Sequence, residues 1–310
     1  MRWPLILVIQ MSCCLLFACT DGPQQADPNF SPTPVIPAYQ AGNGPVVVID
    51  AAHHNFLTKD GRYAPFTQVL TNDGYTVKSG MSRISAQSLA DVDVLVIANA
   101  LDRDRQDWQP PYGQAISAQE ISALVLWLQQ GGALLLVADH TPFPKVIEDL
   151  ALALDIEFSN GHVGPYLFQR EAGTLQQHKS TFGEVTKPAS PAFFTSLNTQ
   201  DVNQVKTFGG SAFVPPEHGT SLLTLGKGTV SVEPAIPFEV TSSTPKKSIS
   251  GWSQGAVLRV GKGKVAVFSE GMMFSSQLDR RSGALHGLRS PGAEQNERFL
   301  LNIMHWLSTV

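Results

Sequence analysis

Val46-Val47-Val48-Ile49-Asp50-Ala51-Ala52-His53-His54-Asn55 decides the reading of this chain. A β-branched apolar run gives way to an acid, two imidazoles and an amide. That is the pattern of a parallel strand buried on both faces and delivering polar groups at its carboxyl end. Three later segments repeat it. The run Val94 to Ala98 ends at Asn99, Ala133 to Ala138 ends at Asp139 and His140, and Lys264 to Ser269 ends at Glu270. Ligands of open α/β sheets bind outside the carboxyl ends of the strands, so the four ends are expected to converge on one crevice.

The segments between these strands carry helical signals. Tyr63 to Asn72 places Phe66, Val69 and Leu70 on one face, and Ser117 followed by Glu120 is a capping box opening a helix that stops at Gly131-Gly132. A helix is expected from about Pro144 to Leu154, and a closing one ends near Leu307 with Phe299, Leu300, Ile303, Met304 and Leu307 as its apolar stripe. This βαβ rhythm predicts an α/β fold, a mostly parallel open sheet flanked by helices. From about 156 to 251 the character changes. Short runs such as Val205 to Phe208, Ser221 to Leu225 and Thr229 to Val232 lie among glycines, prolines and serines, which predicts an antiparallel β-rich elaboration. Gly261-Lys262-Gly263 then joins two apolar runs as a hairpin. A single domain from 46 to 310 with one insertion accommodates all of this.

Hydrophobic residues make up 43% of the chain and charged ones 15%, with a net charge of −4, so the chain folds and carries no basic footprint for nucleic acid. Arg2 and the apolar run from Trp3 to Phe17 have the form of a secretory signal over residues 1–19, too short for a membrane span. Leu16-Phe17-Ala18-Cys19 resembles a bacterial lipoprotein box. The resemblance implies lipidation of Cys19 and an exported envelope protein held to the membrane, with an ordinary signal peptide cut nearby as the alternative. The three cysteines are Cys13, Cys14 and Cys19, so none remains in the folded part for a disulfide, a metal site or a thiol nucleophile. Residues 20–45 are rich in proline and polar residues and are expected to form an extended tether.

The strand ending Asp50-Ala51-Ala52-His53-His54-Asn55, the run Gly131 to His140, the hairpin around Gly261-Lys262-Gly263 and the closing Asn302-Ile303-Met304-His305-Trp306 together resemble the class I glutamine amidotransferase-like superfamily. The nearest branches by this resemblance are ThuA-like proteins and the gliding and intraflagellar-transport domains. It covers roughly residues 45–155 and 250–308, and it implies an amidotransferase-like sheet. The nucleophilic cysteine of those enzymes would stand near Asp139-His140, where this chain has none, so glutaminase chemistry is not expected. ThuA-like relatives imply a carbohydrate-like or other small-molecule ligand.

The residues themselves support several chemistries. Asp139, His140, Glu270 and His54 are candidates for acid–base catalysis of a hydrolase type, with Asn55, Asn99 and His53 orienting substrate. Asp50, His53, His54 and Asp139 form a pool of hard ligands for a divalent metal such as zinc. Alternatively, Asp50 and Asp139 cap the turns that follow their strands, and the crevice is a non-catalytic module for a glycan or peptide. Gly209-Gly210-Ser211 lacks a nucleophile elbow. His162 and the pair Glu217-His218 read as loop residues, His305 as a satisfied helix residue, and Trp108, Tyr112 and Trp252 as loop aromatics able to stack on a ring.

Overall fold

The computed structural model describes residues 24–308 apart from 106, 177–201 and 216; the expected signal and Cys19 lie outside the described residues. A short strand β1 (Gln24–Ala26) comes first, then β2 (Val46–Asp50), helix α1 (Ala64–Asn72), β3 (Thr76–Gly80), β4 (Val94–Ala98), helix α2 (Ala118–Gln130) and β5 (Ala133–Val137). Two short helices, α3 (Phe143–Val146) and α4 (Glu148–Leu152), lead into β6 (Glu157–Phe158), β7 (Tyr166–Gln169), β8 (Gln204–Thr207), β9 (Phe213–Val214), β10 (Thr220–Thr224), β11 (Val230–Val232) and β12 (Lys246–Ser248). The chain closes with β13 (Ser253–Val260), β14 (Gly263–Phe268), a 3-10 turn at Met272–Phe274, β15 (Ser276–Asp279), β16 (Leu285–Gly287) and helix α5 (Asn296–Ser308).

Among the described residues, nine strands form one sheet in the order β3-β2-β4-β5-β14-β13-β9-β6, with β10 also paired to β13. Every pair from β3 to β14 is parallel and every pair beyond β14 is antiparallel. The sheet is therefore mixed, where the strand patterns alone predict a mostly parallel one. The cause is the hairpin at Gly261, which takes φ +60° against α2 where a Cβ would lie 2.8 Å from the Gln129 Cα. It reverses the chain, and the exposed edge of β13 recruits short strands of the inserted region.

Alternation along the parallel strands splits the core in two. Val47, Ile49, Val96, Leu135, Val137 and Phe268 face α1 and α5, joined by Phe66, Leu70, Phe299 and Ile303. Leu95, Ile97, Leu134, Leu136, Val265 and Val267 face α2, α3 and α4, joined by Leu124, Leu128, Phe143 and Leu150. Helices are sparse beside a sheet this wide. The single helix expected over 144–154 is broken at Ile147, because the Ala115 amide takes the Val146 carbonyl at 2.7 Å and interrupts the helical ladder.

Residues 24–45, which composition alone suggests as a free tether, are strapped to the domain. β1 pairs antiparallel with β15, Thr33 donates from its amide and hydroxyl to Glu297, the Ala38 amide donates to Asp73, and Phe30 is buried. A proline-rich backbone cannot pair with itself, so its amides find acceptors on the neighbouring surface.

Candidate functional site

The connections leaving β2 and β4 run to opposite sides, so topology places the switch-point crevice between their carboxyl ends. The chain after β2 fills that crevice. Phe56 and Leu57 donate their amides to the carbonyls of Asn99 and Ala98, and Leu101 donates to His53. Asn55 accepts from the Ala98 amide at 2.8 Å through Oδ1 and donates to Asp50 through Nδ2. His53, only 1% exposed, stands between two carboxylates, Nδ1 2.9 Å from Asp50 and Nε2 2.8 Å from Glu120. Burial pulls the His53 pKa down, but the hydrogen bonds and charges of Asp50 and Glu120 outweigh it and hold it above the usual value. Burial likewise works against ionised Glu120, yet bonds from Ser117 and His53 lower its pKa to about 2. Glu120 is the last residue of the capping box and also receives the Ile84 amide and Arg83.

This plug removes three sequence candidates from the open site. Asp50, His53 and Asn55 are buried in it, and exposed His54 takes a left-handed φ of 48°. Asp139 belongs to a different cluster. The four residues considered for a metal are therefore not brought together, and among the described residues no group of three His, Cys, Asp or Glu side chains is placed to hold a metal ion.

Polar groups instead gather at the ends of β4, β5 and β14. Asn99, at φ 57°, accepts the Asp139 amide at 2.9 Å. Asp139 accepts the His140 amide at 2.9 Å through Oδ1 and the Gly271 amide at 3.4 Å through Oδ2. Glu270, 1% exposed, accepts the amides of Met272 and Met273, each at 2.8 Å. All three strand-end acids, Asp50 among them, thus cap the turns that follow them. Burial first, and then the charge of Asp139, push the Glu270 pKa well above its ordinary value despite its backbone donors. Buried Tyr63 donates to the Gly271 carbonyl at 3.2 Å, and burial with the Glu270 and Asp139 charges raises it as well. Gly210, at φ 89°, presses on the cluster from the inserted region; a Cβ there would lie 2.1 Å from the Ser269 carbonyl oxygen and 2.9 Å from the Glu270 Cβ.

An aromatic lip borders this cluster. The rings of His140 and His162 stack at 4.6 Å, and the Phe238 ring lies 5.1 and 5.4 Å from them, centroid to centroid. Phe238 is 64% exposed on a left-handed backbone of φ 68°. Phe143, Phe56 and Trp108 continue the wall, with centroid distances of 5.6 to 5.9 Å. The His140 ring donates Nδ1 to the Thr141 carbonyl at 2.7 Å and makes no bond to either carboxylate. Burial, then the charge of His140, lower the His162 pKa to about 4, so the ring is neutral. His162 Nε2, Thr141 Oγ1 and Asn160 Oδ1 are buried without hydrogen-bond partners among the described residues, in two loops joined by the Thr141 amide and the Gly161 carbonyl.

The other candidates fall elsewhere. His305 is held by Asp73 at 2.6 Å as a satisfied helix residue, Glu217 and His218 are exposed, and Trp252 packs under Lys247. Tyr112 donates its hydroxyl to the Trp108 carbonyl at 2.6 Å, so it anchors that loop. Glu120, His162 and Phe238 are the residues sequence reasoning undervalues. Glu120 announces only a helix start, and the other two lie in polar loops without periodicity.

Fold and site together define a mixed α/β protein whose polar groups collect at the carboxyl ends of three adjacent parallel strands. Among solved structures the chain is similar to the N-terminal domain of mmIFT52, at 14% identity over 86% of this chain and 98% of that one, with a TM-score of 0.54. It is also similar to a ThuA-like protein from Bacteroides uniformis, at 10% identity, 87% and 94% coverage and a TM-score of 0.45. A cytoplasmic protein from Salmonella typhimurium is similar at 12% identity, 84% and 98% coverage and a TM-score of 0.48. At these identities the likeness shows the fold alone. No family model matches the sequence, and no curated protein matches it.

Proposed function

We propose that the chain is an exported, lipid-anchored envelope protein of amidotransferase-like fold. Its crevice at the ends of β4, β5 and β14 recognises a small polar or carbohydrate-like ligand without breaking a bond. The observation that carries this reading is the stack of His140, His162 and Phe238 beside Asp139. An exposed aromatic ring on a left-handed backbone costs of order 1–3 kcal/mol and persists at sites where the surroundings hold it. Buried polar atoms without partners cost roughly 1–3 kcal/mol each. A ligand hydroxyl or amide reaching His162 Nε2 or Thr141 Oγ1 recovers that cost, while Phe238 offers a ring face and Asp139 an acceptor. Recognition is favoured over catalysis because neither the His54 nor the His140 ring is hydrogen-bonded to the Asp139 or Glu270 carboxylates, whereas acid–base chemistry works through such positioned pairs.

A hydrolase is the second reading, favoured by one observation: the buried Glu270 carboxyl stands beside Asp139 with its pKa raised by burial and by the charge of Asp139, the kind of carboxyl pair that acid–base chemistry uses. Calorimetric titration of the full chain with envelope glycan and peptide fragments, followed by mass spectrometry of the recovered ligand, separates the two. Recognition predicts binding with the ligand intact and a loss of about tenfold in affinity, or 1.4 kcal/mol, for Phe238→Ala. Cleaved fragments move the reading to the hydrolase, and silence across the whole panel overturns both. Palmitate labelling of wild type but not of Cys19→Ser is the outcome expected for the anchor; label on neither overturns it.

A further inference from the structure

We infer that the face formed by β1, β15 and β16 lies against an anionic phospholipid surface, with Arg280 and Arg281 as its contact residues. The inference rests on the lipid anchor proposed above and on the register of β1. Gln24 pairs with Asp279, Gln25 with Leu278 and Ala26 with Gln277 in antiparallel sense. The chain entering Gln24 therefore arrives beside the turn after Asp279, where Arg280, Arg281 and Ser282 are exposed. Between Cys19 and Gln24 the chain advances five residues, about 17 Å even when fully extended. A lipid on Cys19 sits at the membrane, so this turn is held within that reach of the headgroups.

The strap does not peel away cheaply. The Asp27 amide donates to the Ser276 carbonyl at 2.9 Å, Ser276 Oγ to the Asp27 carboxylate at 3.1 Å, and Arg62 Nε to the Gln24 carbonyl at 3.1 Å. Residues 24–45 thus dock the domain where their composition alone suggests a spacer. Charge at the contact has the right sign. Asp279 lies beside the two arginines, but its carboxylate is turned to the backbone amides of Arg281 and Ser282 at 2.8 and 2.9 Å. Leu285, across the hairpin, is 40% exposed and adds an apolar contact. A basic side chain at an anionic leaflet strengthens association by about fivefold. That is weak in free solution, but the anchor makes docking intramolecular and raises the effective concentration into the millimolar range.

The test uses the full lipidated protein in phosphatidylcholine vesicles with and without phosphatidylglycerol. No cysteine follows Cys19, so a fluorophore on Ser282→Cys reports from the turn alone, against a nitroxide quencher on the headgroups. Quenching is expected in anionic vesicles, falling several-fold in neutral vesicles, in high salt and with Arg280→Glu and Arg281→Glu combined. Protein that sediments with anionic vesicles but shows no quenching, or quenching that charge reversal leaves unchanged, overturns the docked face and leaves the anchor standing. Protein that carries no lipid and does not sediment overturns the anchor, and this inference with it.

Discussion

Replacing His53 with alanine is expected to lower the folding free energy by about 3 kcal/mol at neutral pH. Removing one partner from a buried ion pair costs roughly 3–5 kcal/mol, because a charge is left uncompensated. His53 is 1% exposed and joins Asp50 to Glu120 at 2.9 and 2.8 Å, so its loss strands two carboxylates. Both keep other donors: Ala52 and Asn55 for Asp50, Ser117, Ile84 and Arg83 for Glu120. Those donors place the cost at the lower end of the range. Urea unfolding followed by circular dichroism measures it, and pH supplies a second check. The raised pKa of His53 means that its contribution is complete below the unfolded value of about 6.5 and is lost as pH rises through the higher folded value. Glu120, with a folded pKa of about 2, contributes above its unfolded value and loses that contribution as pH falls from about 4.5 toward 2. The gap between wild type and variant is therefore widest between roughly pH 5 and 6.5. A loss below about 1 kcal/mol, or one independent of pH, refutes the clamp.

Asp139→Asn removes the second of the two causes that raise Glu270, so the Glu270 titration moves down while burial keeps it above normal; carbon-13 spectra of the carboxyl across pH read the shift, and an unmoved midpoint means the two groups do not sense each other. Phe238→Ala exposes the neighbouring ring and moves the His162 titration up from about 4, seen in imidazole proton spectra, with stability changed by less than about 1 kcal/mol. Gly210→Ala forces a Cβ to 2.1 Å from the Ser269 carbonyl oxygen on a left-handed backbone, so a loss of at least 2 kcal/mol, roughly, is expected in thermal unfolding; a wild-type melting point contradicts the packing of this loop on Glu270.

What the sequence discloses follows from which interactions are local. The capping box forms with both of its bonds, and the apolar stripe of the closing helix is buried residue for residue. Asn99, Asp139 and Glu270 come to one edge because their strands are adjacent and parallel, and a strand ending in a polar group carries that group to the shared edge. Asp50 and His53 carry the same signal and end in a buried plug, because the loop folds back onto β4 through backbone bonds that any sequence can make. The partner of His53 lies 67 residues away and is read locally as a helix cap. β6 and β9 are two residues each, too short for a period, so their addition to the main sheet leaves no trace in the pattern. The strap along β15 is hidden for a related reason. Polar, proline-rich composition says that a segment has no core of its own, and says nothing of the surface it leans on.

The most direct measurement follows histidine ring resonances of the full chain during titration with the panel of envelope glycans and peptides. The account predicts that a binding ligand moves the signals of His140 and His162 while those of His53 and His305, held by buried carboxylates, stay in place. A ligand that binds and leaves His140 and His162 unmoved contradicts the placement of the site.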